Sequence, residues 1–140
     1  TARAARDKGL EIRELFFGEA VARMLAEEGW SADLMAANNV LAHVPDINDF
    51  VAGFARLLKD DGVATFEFPH LLNLVQLNQF DTIYHEHFSY LSLVSVKRIF
   101  EQIFRREKVE AAFIEGDAFH RYDREAMKKG VGGEVLAYVW

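Results

Sequence analysis

The chain has 140 residues, 51% of them hydrophobic and 27% charged, which predicts one globular domain rather than a disordered tail. It contains no cysteine, which excludes disulfides, thiolate metal sites and cysteine nucleophiles. The net charge of -6 argues against a nucleic-acid partner. No basic-then-apolar leader and no long apolar run stands in the sequence, so no membrane partner and a cytoplasmic location are expected.

The charge is unevenly spread. Between Trp30 and Ser92 the acids Asp33, Asp46, Asp49, Asp60, Asp61, Glu67, Asp81 and Glu86 face only Arg56 and Lys59, which accounts for the whole net charge. From Gln102 to Lys129 bases and acids nearly balance. The composition therefore changes style near residue 100.

In chain order, Thr1 to Lys8 reads as the tail of a helix stopped at Gly9. Leu10 to Phe17 alternates in part and carries Ile and Phe, which predicts a strand. Glu19 to Glu28 places Ala20, Val21, Met24 and Leu25 on one helical face and ends at Gly29. Ala32 to Asn38 is a short apolar run, the pattern of a buried parallel strand. Asp46 is placed to cap a helix whose inner stripe is Phe50, Val51, Phe54, Leu57 and Leu58.

Asp60-Asp61-Gly62 predicts a turn and Val63 to Phe68 a strand ended by Pro69. Leu71 to Tyr90 has no clean period and reads as a partly helical insertion. Ser92 caps a predicted helix reaching about Arg106, with Leu93, Val96, Phe100, Ile103 and Phe104 inward. Val109 to Ile114 predicts a strand, Gly116 to Gly130 a polar excursion, and Glu134 to Trp140 a last strand. This alternation is that of a doubly wound α/β sheet, with Ala32 to Asn38 and Val63 to Phe68 as parallel neighbours.

Two clusters carry chemistry. Tyr84-His85-Glu86-His87 packs two histidines and a carboxylate into four residues. A histidine beside a carboxylate can be oriented as a general base near neutral pH; the plainer alternative is an exposed polar loop with aromatic anchors. Asn38, Asn39 and His43 follow the Ala32 strand, where open α/β sheets bind ligands; the alternative there is turn and capping chemistry before Pro45. His43, His70, His85, His87 and Glu86 are ligand types for a metal, but no H-x-x-x-H pair occurs on a helix, and no metal site is assigned. Phe16 and Phe17 could floor an adenine, although such pairs more often belong to a core. Neither G-x-G-x-x-G nor G-x-x-x-x-G-K-[ST] occurs in the chain.

The strings Asn38-Asn39-Val40-Leu41-Ala42-His43-Val44-Pro45-Asp46, Asp61-Gly62-Val63-Ala64-Thr65-Phe66-Glu67-Phe68-Pro69 and Asn78 through Tyr84-His85-Glu86-His87-Phe88-Ser89-Tyr90 resemble the class I S-adenosylmethionine-dependent C-methyltransferases of nucleotide-linked deoxysugars. The resemblance runs from about Thr1 to Glu101 and returns in the last strand. It implies a partial Rossmann-like, doubly wound sheet lacking its first strands, in a single truncated domain over residues 1–140. It also implies a reaction: a histidine removes the proton alpha to the ketone of a 4-keto-deoxysugar, and the enolate attacks a sulfonium methyl. By match to the motif His87 is the base, Glu86 and Tyr84 orient it or hold the sugar, and Asn39 and His43 stabilise the enolate oxygen.

Phe17, Ala37 and Asn38 are the positions expected on the cofactor side, with S-adenosylmethionine as cofactor and a nucleotide-sugar as substrate. The family's four-cysteine zinc module and glycine-rich cofactor loop have no counterpart in this sequence. The cofactor site is therefore expected to be incomplete and its binding weak.

A second resemblance begins near Lys97. The run from Ile114-Glu115-Gly116-Asp117-Ala118-Phe119-His120-Arg121-Tyr122-Asp123-Arg124 to Lys128 is similar to bacterial phosphoribulokinase. It implies sugar-phosphate roles for Asp117, His120, Arg124 and Lys128, but that kinase needs a P-loop upstream. The two resemblances together point to a mosaic sequence, with 97–129 as a kinase-like segment and these four residues as passengers; beside the methyltransferase, inactive or not as this fragment, stand a kinase-like fragment and a non-catalytic mosaic scaffold.

Overall fold

The structure is a computed structural model that describes residues 2–113. It comprises α1 (Ala2–Arg6), α2 (Glu19–Glu27), β1 (Ala32–Asn38), a 3-10 turn (Leu41–His43), α3 (Ile47–Leu57), β2 (Leu58–Glu67), α4 (Leu71–Gln76), a second 3-10 turn (Phe80–Thr82) and α5 (Leu93–Arg106).

Helices α3 and α5 start at side-chain caps, and α2 and α5 end on left-handed residues. The Asp46 carboxylate accepts from the Asn48 and Asp49 backbone N–H groups at 3.0 Å each and opens α3. Ser92 and Ser95 cap α5 reciprocally. Helix α2 ends at Gly29 with φ of 88°, while Trp30 N–H donates to Leu25 C=O and Gly29 N–H to Ala26 C=O. That paired pattern requires a left-handed residue, which glycine adopts without strain. Helix α5 closes in the same way on Lys108, at φ of 60°.

Strands β1 and β2 pair in parallel, as their sequences predict, with α3 crossing between them. Residues Leu34 to Asn38 pair in order with Val63 to Glu67. The inner face carries Met35, Ala37, Ala64 and Phe66, packed against Phe50, Phe54 and Phe100 of α3 and α5. Phe66 meets Phe54 at 4.7 Å and Phe100 at 4.5 Å between ring centroids, distances at which aromatic pairs attract. On the other face the register partners Leu34 and Val63 stay 64% and 56% exposed. This is an α/β fold with an open two-stranded sheet, consistent with the partial Rossmann-like fold expected. Among the described residues no helix is long and apolar enough to cross a membrane.

Three local expectations are corrected. Leu10 to Phe17 is not a strand: among the described residues no neighbour supplies a ladder, Leu10, Leu15 and Phe16 are exposed, and the segment makes surface ion pairs, Arg6 with Glu14 and Arg13 with Glu28. Val109 to Phe113 is irregular for the same reason, Val109 N–H being spent on Phe104 C=O at the end of α5; Ile114 lies outside the described residues.

The predicted Asp60-Asp61-Gly62 turn is an irregularity inside β2. The register jumps from Ala32↔Leu58 to Leu34↔Val63, so Lys59 through Gly62 stand opposite Asp33 alone. Lys59 donates to the Asp33 carboxylate at 2.7 Å across this bulge. That hydrogen bond, with the ammonium charge, holds the Asp33 carboxyl below its ordinary range. The expected Gly116 to Gly130 excursion and Glu134 to Trp140 strand lie outside the described residues.

Candidate active site

The first segment of the site leaves the sheet at the carboxyl end of β1. Asn39 takes a left-handed backbone, φ 55°, and its N–H donates to Glu67 C=O at 2.8 Å, tying it to the end of β2. Asparagine tolerates that conformation better than most residues. The chain then turns through the buried Leu41 and Ala42 and brings out His43, half-buried, at the end of the 3-10 turn.

The second segment is a closed turn. His87 N–H donates to Tyr84 C=O at 3.1 Å, which makes Tyr84-His85-Glu86-His87 a reverse turn. Tyr84 and His87 stand at its two ends with ring centroids 4.2 Å apart. His85 and Glu86 occupy the exposed corner. Phe88 N–H then donates to Ala42 C=O at 2.8 Å, binding the turn to the segment after β1.

The two segments meet at their histidines. The His43 and His87 rings lie edge to face with centroids 4.6 Å apart. His43 Nδ1 lies 3.2 Å from Glu86 C=O. A carbonyl only accepts, so Nδ1 carries the hydrogen, and the neutral ring presents Nε2 as a lone pair. His87 Nε2 and Ser89 Oγ are buried without a hydrogen-bond partner among the described residues. Leaving such a group unsatisfied costs about 1–3 kcal/mol, which a bound polar group would recover.

The structure thus brings together His43, Tyr84 and His87. Glu86 takes part through its backbone carbonyl, and its carboxylate makes no hydrogen bond to His87 among the described contacts. Asn39 stands at the sheet edge, with no side-chain bond to this cluster among the described contacts. Sequence reasoning missed Tyr90, whose ring lies 5.6 Å from that of His87; its signal was a second tyrosine flanking the His-Glu-His string. His85 and His87 share a turn rather than a strand face, and no cluster of three or more His, Asp or Glu forms among the described residues.

The cofactor-side positions lie elsewhere. Phe17 packs edge-on against Phe50 and Phe54, at 5.8 and 5.5 Å. Ala37 is buried in the core, and Asn38 is exposed at the end of β1. Phe17 and Ala37 pack with the core, while Asn38 stands at the open end of the strand. Two open clefts among the described residues, of about 550 Å³ beside Phe104 and Phe113 and about 310 Å³ beside Trp30, are not lined by the histidine cluster.

A parallel α/β pair with polar residues at its carboxyl edge has them where open doubly wound sheets bind ligands. Residues 3–103 match the family described as a methyltransferase domain, and the chain belongs to it. It is 41% identical over 97 residues to the C-methyltransferase NovU of Streptomyces niveus, a match covering 69% of this chain and 23% of that protein. The chain therefore spans less than a quarter of this relative's length.

A separate, shorter match joins it to phosphoribulokinases. It is 68% identical over 40 residues to that of Nitrobacter vulgaris, covering 29% of this chain and 14% of the kinase. It is 83% identical over 29 residues to that of Xanthobacter flavus, covering 21% and 10%. The two kinds of match are consistent with a mosaic sequence.

Proposed function

We propose that the chain belongs to an S-adenosylmethionine-dependent C-methyltransferase acting on a nucleotide-linked keto-deoxysugar, with His87 as the base. The observation that carries this reading is the meeting of His43, Tyr84 and His87 at the carboxyl edge of the parallel strands. In such an enzyme S-adenosylmethionine supplies an electrophilic methyl group when bound.

The chain's own residues account for activation of the carbon acid. A ring nitrogen of His87 takes the proton alpha to the ketone, and the C–H electron pair becomes an enolate with its charge on oxygen. Asn39 is the neutral donor for that oxygen. His43, its Nδ1–H held by Glu86 C=O, donates through Nε2 only as the imidazolium. His87 Nε2 is covered and has no hydrogen-bond partner among the described residues, while Tyr84 and Phe88 on either side of it are exposed.

The test is methyl transfer from labelled S-adenosylmethionine, at saturating concentration, to a nucleotide-linked 4-keto-deoxysugar. Label on a sugar carbon that disappears in His87→Gln supports the reading. Label in no product, or transfer unchanged in the variant, overturns it.

The phosphoribulokinase matches favour a second reading, a sugar-phosphate kinase. Its expected residues Asp117, His120, Arg124 and Lys128 lie outside the described residues, and the chain has no P-loop motif. Phosphoryl transfer depends on held phosphates and Mg²⁺, so these residues are read as passengers. ATP consumption dependent on ribulose-5-phosphate and lost in Asp117→Asn would establish the kinase instead.

A further inference from the structure

We propose that Tyr90 is a positioning residue that holds the His87 imidazole in place from the framework side. The proposal rests on the reading of His87 as the base. Three observations converge on it. The Tyr90 ring stands edge-on to His87, centroids 5.6 Å apart and planes at 76°. With Tyr84 at 4.2 Å and His43 at 4.6 Å, it adds a further ring contact around the imidazole. The Tyr90 hydroxyl donates to Tyr84 C=O at 3.4 Å, the same carbonyl that accepts His87 N–H and closes the turn.

Tyr90 is flanked by anchored backbone. Leu91, next in the chain, is buried, bridges to His70 and accepts from Leu71 N–H at 2.8 Å. Ser92 then caps α5. The tyrosine is thus the point where a loop exposed at Tyr84 and Phe88 joins a fixed helix start. An edge-on aromatic contact attracts beyond the area it buries, whereas a hydroxyl bond of 3.4 Å is near the limit of that geometry. The ring therefore carries the positioning and the hydroxyl adds little.

That division sets the test. The full chain, labelled with ¹⁵N-histidine, is compared as wild type, Tyr90→Phe and Tyr90→Ala. The exposed His85 serves as the internal reference for a free imidazole. His87 ring-nitrogen signals are expected to differ from those of His85 in wild type, to stay in place in Tyr90→Phe, and to shift toward those of His85 in Tyr90→Ala. The amide signals of α5 are expected not to change. Where Tyr90→Ala loses the α5 signals, Tyr90→Leu replaces it under the same criteria.

His87 signals unmoved in the variant without the ring, or already coincident with His85 in wild type, overturn the proposal. No substrate enters this measurement. A held His87 in a chain that transfers no methyl group defeats the functional reading and leaves the positioning standing. In an active chain, Tyr90→Ala is expected to lower kcat with KM little changed, and Tyr90→Phe to restore it. An unaltered kcat in Tyr90→Ala also overturns the proposal.

Discussion

His43 and His87 meet edge to face at 4.6 Å, although one follows the first strand and the other closes a turn far along the chain. The contact is backed by His43 Nδ1–H on Glu86 C=O and Phe88 N–H on Ala42 C=O. His43→Ala removes the ring contact and the first of these bonds, together worth about 1–3 kcal/mol. Opening of the turn should become roughly tenfold to a hundredfold more frequent. Hydrogen exchange at the His87 amide reads this directly, and an unchanged rate would show that the two segments are held apart from their histidines.

Helices α2 and α3 approach closely at two glycines. A Cβ on Gly53 would stand 2.9 Å from the Gly18 backbone and 2.8 Å from the Phe17 ring. Gly53→Ala is expected to destabilise the fold by about 1–3 kcal/mol, the usual range for overpacking, despite alanine's better helix propensity. Urea denaturation measures it; a neutral or stabilising result would mean the helices do not touch as described.

Phe17 separates core from cofactor. Its contacts with Phe50 and Phe54 predict that Phe17→Ala lowers stability by up to about 3–5 kcal/mol. S-adenosylmethionine affinity, expected to be weaker than micromolar in a chain with no glycine-rich cradle, should not change. Calorimetry showing tight binding that Phe17→Ala abolishes would return this ring to the cofactor.

The Asp33–Lys59 pair makes a signed pH prediction. Asp33 has its carboxyl lowered by the Lys59 hydrogen bond and charge, so its contribution to stability is present above the unfolded-state value and is lost as pH falls through the folded-state value. Both side chains are solvent-exposed, which keeps the effect small. An NMR titration should place the Asp33 midpoint below that of a free aspartate, and Lys59→Met should raise it. A midpoint indifferent to Lys59 would contradict the pairing.

Much of the fold was legible because its signals are local. Strand β1 and the start of α3 and α5 lie where an apolar run, Asp46 and Ser92 place them. What the sequence misdirected was pairing. Leu10 to Phe17 has strand chemistry but no paired neighbour among the described residues, and β-propensity alone cannot supply one. Asp60-Asp61-Gly62 has turn chemistry, which the sheet absorbs as a bulge. At the candidate site, residue types were readable but geometry was not. Adjacency suggested that Glu86 orients His87 or holds the sugar; the turn sets its side chain at the exposed corner and its carbonyl against His43 Nδ1. Tyr90 depends on how that turn closes, which no periodicity reveals.

The central claim is that His87 removes a proton from carbon. It is tested most directly without any methyl donor, by incubating the chain with a nucleotide-linked 4-keto-deoxysugar in D₂O and following the proton alpha to the ketone by NMR. The account predicts deuterium uptake at that carbon above the buffer rate, falling roughly a hundredfold or more in His87→Gln, the scale of general-base catalysis. Exchange at the buffer rate, or exchange that His87→Gln leaves intact, would contradict it.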